Sequence, residues 1–167
     1  MINYADMPSY FWLVSSRLKK PVQDDVPYTT QALRQDLLRV RTAWDDCQSN
    51  RDRDAIYTYL TAVFGLVAWW VADNCAVERA RKALRLSALR PFDHEEPFAV
   101  IIRGTSDPAK VDKRTRSKWS RVLRYALQYK DHSEPLDQFI KRKGGINRCG
   151  ERFSDRSGRH RRMNTCF

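Results

Sequence analysis

Between Asp107 and Lys130 the chain reads DPAKVDKRTRSKWSRVLRYALQYK. Taken as a helix at about 100° per residue, Lys110, Lys113, Arg114, Lys118, Arg121 and Arg124 fall within roughly 140° of arc. Val111, Trp119, Val122, Leu123 and Ala126 fall within roughly 120° on the other side. Asp112 is the only carboxylate between Pro108 and Lys130, so pairing at i,i+4 cannot neutralise the basic stripe. Like charges on one face repel, and a phosphate backbone relieves that repulsion. These six cations are therefore candidate polyanion contacts. Lys141, Arg142, Lys143 and Arg148 extend the same footprint. Contacts of this kind supply affinity without reading bases. The plainer alternative is an amphipathic surface helix whose outer face is rich in Lys and Arg.

Other chemistry is harder to assemble. Cys47, Cys75, Cys149 and Cys166 form no CxxC motif, and His94, His132 and His160 are scattered. Neither set has zinc-site spacing. The cysteines read as reduced thiols of a cytosolic chain, three of them in helical patterns and Cys166 in a tail. Asp93, His94, Glu95 and Glu96 follow one another in a Phe92–Pro97 loop. Neighbours in a loop do not converge on one ion unaided, so we read them as solvated charge or as a local partner for the basic half. There is no P-loop, GxSxG or HExxH. We expect a binding protein, not an enzyme, with no cofactor and no small-molecule substrate. A nuclease could draw on carboxylates such as Asp73 and Glu78, but their spacing gives no reason to choose them.

The elements that must position the cations follow from charge and periodicity. Net charge is +11, yet residues 1–100 hold equal numbers of acids and bases. The whole excess therefore lies after residue 100. A neutral half joined to a basic half suggests a scaffold carrying a polyanion-binding part. We expect a mainly α fold: an N-terminal arm at 1–28, one helical domain at 29–153 and a disordered basic tail at 154–167. Within the domain, 29–104 would be the neutral core part and 105–153 the basic part. The core would be an antiparallel helical hairpin with a long central helix.

Leu33, Leu37, Val40, Trp44 and Cys47 make one stripe of a helix from about Thr30 to Gln48, with Thr30 as N-cap. Residues 49–52 form a turn, with Asp52 available to cap the next helix. Ala55 to Ala72 then carries no charge over 18 residues, which meets the lower limit for a membrane span. We favour a buried central helix continuing to about Ser87. Its bulky stripe is Ile56, Leu60, Val63, Phe64, Val67 and Val71. Beside it Thr58, Thr61, Gly65, Ala68 and Ala72 would form a small-residue groove for a packing helix, although membrane helix pairs use the same device. Phe98 to Ile102 reads as a strand or a buried extended segment.

The basic helix would start with Asp107 as N-cap and Pro108 in its first position. Ser133 would cap a further helix with Pro135 in its first turn. Gly144 and Gly145 supply a turn, and Ile146, Cys149 and Phe153 suggest one more short helix. The pair outlines a helix-turn-helix, but an ordinary αα-corner fits better, since Gly150 inside the second helix costs about 1 kcal/mol relative to Ala. Arg156, Arg159, Arg161 and Arg162 in the tail could follow phosphates. Ahead of the apolar run Tyr10–Val14 there is no basic segment, so we do not read a signal peptide.

The stretches RDRDAIYTYL, RSKWSRVLRYA and FIKRKGGIN, taken together, resemble a family of uncharacterised alphaproteobacterial, rhizobia-like proteins over about residues 50–153. The resemblance implies a bacterial, cytoplasmic protein and carries over no site residue. The leading expectation is a helical nucleic-acid-binding protein, DNA favoured over RNA, with a possible homodimer surface in the neutral part. A helical adaptor for an acidic protein, or a membrane-associated protein using 55–72, are the alternatives.

Overall fold

The computed structural model describes residues 28–50, 52, 54–89 and 96–163. The expected arm, with Tyr10–Val14, lies outside these residues, as do Asp93 to Glu95 and Cys166. The architecture is mainly α, with seven helices and no strand among the described residues. In chain order they are α1 (Thr30–Ser49), α2 (Ala55–Ala72), α3 (Ala76–Leu86), α4 (Pro97–Thr105), α5 (Lys113–Tyr129), α6 (Leu136–Arg142) and α7 (Gly145–Met163).

The uncharged segment is the central helix. α2 packs against every other described helix except α7. Leu60, Val63, Val67 and Val71 of its bulky stripe are buried, while Ile56 and Phe64 are half-buried. The small-residue groove does not form as expected. Thr58, Thr61 and Gly65 are exposed, and a methyl group added at Gly65 would meet nothing within 4 Å. The bulky stripe attracts the neighbours because each large apolar side chain gains about 1.5–3 kcal/mol by leaving water. The stripe of threonines and glycine gains far less and is left outside. By length and hydropathy α2 could still cross a membrane, with a mean hydropathy of 1.6, although 44% of it is buried in the protein.

Aromatic contacts join α1 to α2. Trp44 of α1 meets Tyr59 of α2 edge-on at 5.1 Å, and Tyr28, just ahead of α1, meets Trp69 of α2 at 5.1 Å. The Tyr59 hydroxyl hydrogen-bonds Thr105 Oγ1 at 2.9 Å, and burial pushes its pKa up to about 12. It stays neutral inside the core.

Four boundaries differ from the sequence reading, each for a local reason. The helix expected to run on to Ser87 breaks at Asp73–Cys75, where Asn74 takes φ 57°. Asn tolerates that left-handed conformation better than most residues. The break turns Arg79 back over the end of α2. Its guanidinium pairs with Asp73 at 2.8 Å and lies over both the Tyr28 ring (4.2 Å) and the Trp69 ring (4.7 Å).

Phe98 to Ile102 is neither strand nor extended segment, but helix α4. The Glu96 carboxylate accepts hydrogen bonds from the Phe98 and Ala99 amides, and Pro97 opens the first turn. Burial of Phe98, Val100, Ile101 and Ile102 outweighs the modest helix propensity of β-branched residues.

The basic helix begins at Lys113 with Asp112 as N-cap, its carboxylate accepting from the Thr115 amide at 2.8 Å. Asp107 instead closes a separate turn that accepts from the Ala109 amide and leads the buried Val111 into the core. Anchoring Val111 forces Asp112 into the extended conformation a cap requires.

Beyond Phe153 the chain stays helical to Met163, so most of the expected tail is the end of α7. Smaller shifts are a cap at Thr29 in place of Thr30, and Asp54 preceding α2 without a side-chain cap bond. Ser133 does not cap α6, which starts after Pro135. The glycine turn is present, with φ of 94° at Gly144 and 89° at Gly145.

Gly150 is helical and buried, and its role is close approach. An added methyl there would touch Lys118 Cγ at 3.4 Å and Val122 Cγ2 at 3.8 Å on α5. Gly150→Ile is expected to lose about 1–3 kcal/mol by overpacking this contact, measured as a lower urea midpoint. Gly65→Ile, exposed on α2, should not show that loss.

Candidate nucleic-acid interface

α5 is amphipathic, but only one end of its basic side is open. Trp119, Val122, Leu123 and Ala126 are buried as the periodicity predicts. Lys118, Arg121 and Arg124 are half-buried against α7. The Lys118 ammonium donates to Asn147 Oδ1 at 2.9 Å, and Arg121 Nη1 donates to Ser154 Oγ at 2.7 Å. The Arg124 guanidinium lies 4.5 Å from the centre of the Phe153 ring. The contacts run from Asn147 near the start of α7 to Phe153 and Ser154 further along it, and the small residues Gly150 and Ser154 make room for the long side chains.

Glu96 ties this end of α5 to the core. Its carboxylate caps α4 and also accepts from Ser120 Oγ at 2.7 Å. Burial raises its pKa above the ordinary value of 4.5, and the charge of Arg124, the Ser120 hydroxyl and the two amides pull the other way. Of the acidic cluster, Glu96 is thus a local partner of the basic half. Its capping role is not readable from the sequence, since it depends on α4 being a helix.

The remaining expected contacts divide. Arg142 holds the Glu134 carboxylate through two bonds of 2.7 Å, which lowers the Glu134 pKa. Lys141 pairs with Asp54 at 2.7 Å and lies 5.1 Å from the Tyr57 ring centre. Lys143 lies 5.8 Å from the ring centre of Phe139. These groups are solvent-exposed or half-buried, so water screens the pairs and they contribute little to stability. Lys110, Lys113, Arg114 and Arg148 are exposed and make no ion pair with another described residue. Lys110 stands in the turn before α5 and not on the helix itself.

Lys113 and Arg114 occupy the first turn of α5, which holds no acid. A helix N-terminus carries roughly half a positive charge, so cations there are unfavourable and an approaching anion is favourable. Asp112 is the one carboxylate beside them, and hydrogen bonding to Thr115 holds its pKa below the ordinary value.

Beside this cluster opens a cleft of about 430 Å³. Trp44, Cys47 and Gln48 of α1, Ala55 and Ile56 of α2, and Thr115 and Trp119 of α5 line it. Asp52, Lys110, Val111 and Asp112 complete the lining from the connecting turns. Nothing in the sequence spacing announces it, because its walls come from segments far apart in the chain. Among the described residues no three His, Cys, Asp or Glu side chains gather as a metal site, and Asp73 is engaged by Arg79.

In comparison with known proteins, the chain matches no family model, no curated protein and no solved structure.

Two outcomes separate structural from open cations. Arg124→Ala should cost about 1–3 kcal/mol in denaturant melts, because it strips the half-buried Glu96 carboxylate of its neighbouring charge. Lys113→Ala should change stability by less than about 0.5 kcal/mol. Glu96 also gives a pH signature. Its folded-state pKa is raised, so its contribution is full below the unfolded value near 4.5 and is lost as pH rises through the folded value. The stability of wild type relative to Glu96→Gln should therefore fall as pH rises above the unfolded value, read from thermal melts. A difference that grows with pH would contradict this placement.

Proposed function

We propose that the chain is a helical, cytoplasmic nucleic-acid-binding protein that holds a phosphate backbone at the start of α5, with DNA as the first expectation. The observation that carries this reading is the run Lys110, Lys113 and Arg114. It is exposed, unpaired with any described acid and placed at the positive end of a 17-residue helix. A surface helix selected only for solubility gains from acids in its first turn, and α5 has none there. Arg148, exposed near the start of α7, adds a further cation. The charge excess behind this cluster is the whole +11 of the chain.

The footprint is narrower than the stripe expected from the helical wheel. Lys118, Arg121 and Arg124 are half-buried and engaged with α7, so they are less available to a ligand than the open run. This reading involves few direct phosphate contacts and moderate salt sensitivity.

Affinity for nucleic acid should fall between about 50 mM and 200 mM salt, with a log–log slope near −0.9 per phosphate neutralised, hence about −3 to −4 in all. The triple variant Lys110→Glu, Lys113→Glu, Arg114→Glu should lose at least about tenfold in affinity while keeping its helical circular dichroism. Salt-independent affinity, or an unaffected triple variant, would end this reading.

A further inference from the structure

The cleft beside the cations has features the phosphate contacts do not use. Its volume, about 430 Å³, lies in the range of roughly 300–1,000 Å³ seen for small-molecule sites. Half-buried Ile56 and the largely buried Trp44, Val111 and Trp119 make its apolar lining, with the two tryptophans 6.2 Å apart and tilted by 58°. Gln48, Asp52, Asp112 and Thr115 supply polar groups. Asp52 and Asp112 each accept a backbone amide on Oδ1, from Asp54 and Thr115 respectively. Lys110 belongs both to the cleft lining and to the cation run.

Apolar and aromatic walls, acceptor oxygens and an adjoining cluster of open cations match one chemical class. That class is a planar base bearing N–H donors, joined to a phosphate. We infer that the cleft receives one unpaired nucleobase of a single strand whose phosphates lie along Lys110, Lys113 and Arg114. The inference rests on the phosphate-binding reading above and adds a strand type to it. A base within a duplex is stacked on both faces and paired at its edge, so it cannot enter. Carboxylate oxygens accept but cannot donate, so bases with an exocyclic amino group fit better than thymine or uracil.

Fluorescence polarisation with a labelled strand of about 12 nucleotides tests this, alongside its duplex and an abasic strand of equal charge. The intact single strand is expected to bind about tenfold tighter than either at equal salt. Thr115→Glu adds a negative charge at the cleft, in a helix position that tolerates it. Ser117→Glu makes the same charge change on the exposed side of α5. The first should remove the single-strand preference, and the second should keep it. Gln48→Glu, on the α1 wall, serves as the second cleft variant should Thr115→Glu fail to fold.

Equal, salt-sensitive binding of single strand and duplex would overturn the cleft assignment while leaving the phosphate reading in place. So would an unchanged preference in a folded cleft variant. Absence of salt-sensitive binding to any of the three would overturn both. Displacement of the strand by free 5′-mononucleotides at equal concentration would overturn the assignment to a strand in favour of a free nucleotide.

Discussion

The structure depends on covering α2. Eighteen consecutive residues without a charge cannot be left in water on all sides. Six helices make up the rest of the described fold, and five of them pack on α2. Tyr59 is the junction, touching Trp44 of α1 and Trp119 of α5 through its ring and Thr105 of α4 through its hydroxyl. Once α5 is bound to α2 through Trp119, its opposite side is directed away from the core. α7 then packs on α5 and stays off α2. The arrangement of the cations is a consequence of that order.

A basic stripe on a helix is ambiguous between a ligand surface and a packing surface. Here it is both, divided along its length. The half near Arg124 holds α7 through Asn147, Phe153 and Ser154, partners that carry no charge. The half near Lys113 lies ahead of that contact and stays open. The packed half can accept cations because their aliphatic stems bury well while each head group finds a polar atom or a ring. Glu96 brings a half-buried carboxylate to this region, and its helix-capping bonds hold it there.

Much of the fold was legible in the residues. The existence and apolar character of α2 follow from its lack of charge, and the apolar side of α5 from its spacing. The errors came where two local signals competed. Asp107 and Asp112 are both capping residues, and the burial of Val111 selected the second. The run Phe98–Ile102 suits a strand by composition, and a carboxylate just before it made it a helix. Asn74 broke a helix whose periodicity continues on both sides. The site was less legible than the fold. Of ten cations named from charge alone, four face solvent without a described acidic partner: Lys110, Lys113, Arg114 and Arg148. Pairing between Lys141 and Asp54, or Arg142 and Glu134, joins residues whose proximity depends on how the helices pack.

By itself, the sequence determined the helical class, the apolar central element and the confinement of the net positive charge to the last part of the chain. These are sums and periodicities, and they do not depend on what lies next to what. Tertiary structure alone decided which cations remain available, which side of α2 stays exposed and where a cleft opens. Each of those depends on the helix that happens to cover a given face. The seating of α7 against Lys118, Arg121 and Arg124 is set by Gly150 and Ser154, small residues that carry no charge signal in the sequence.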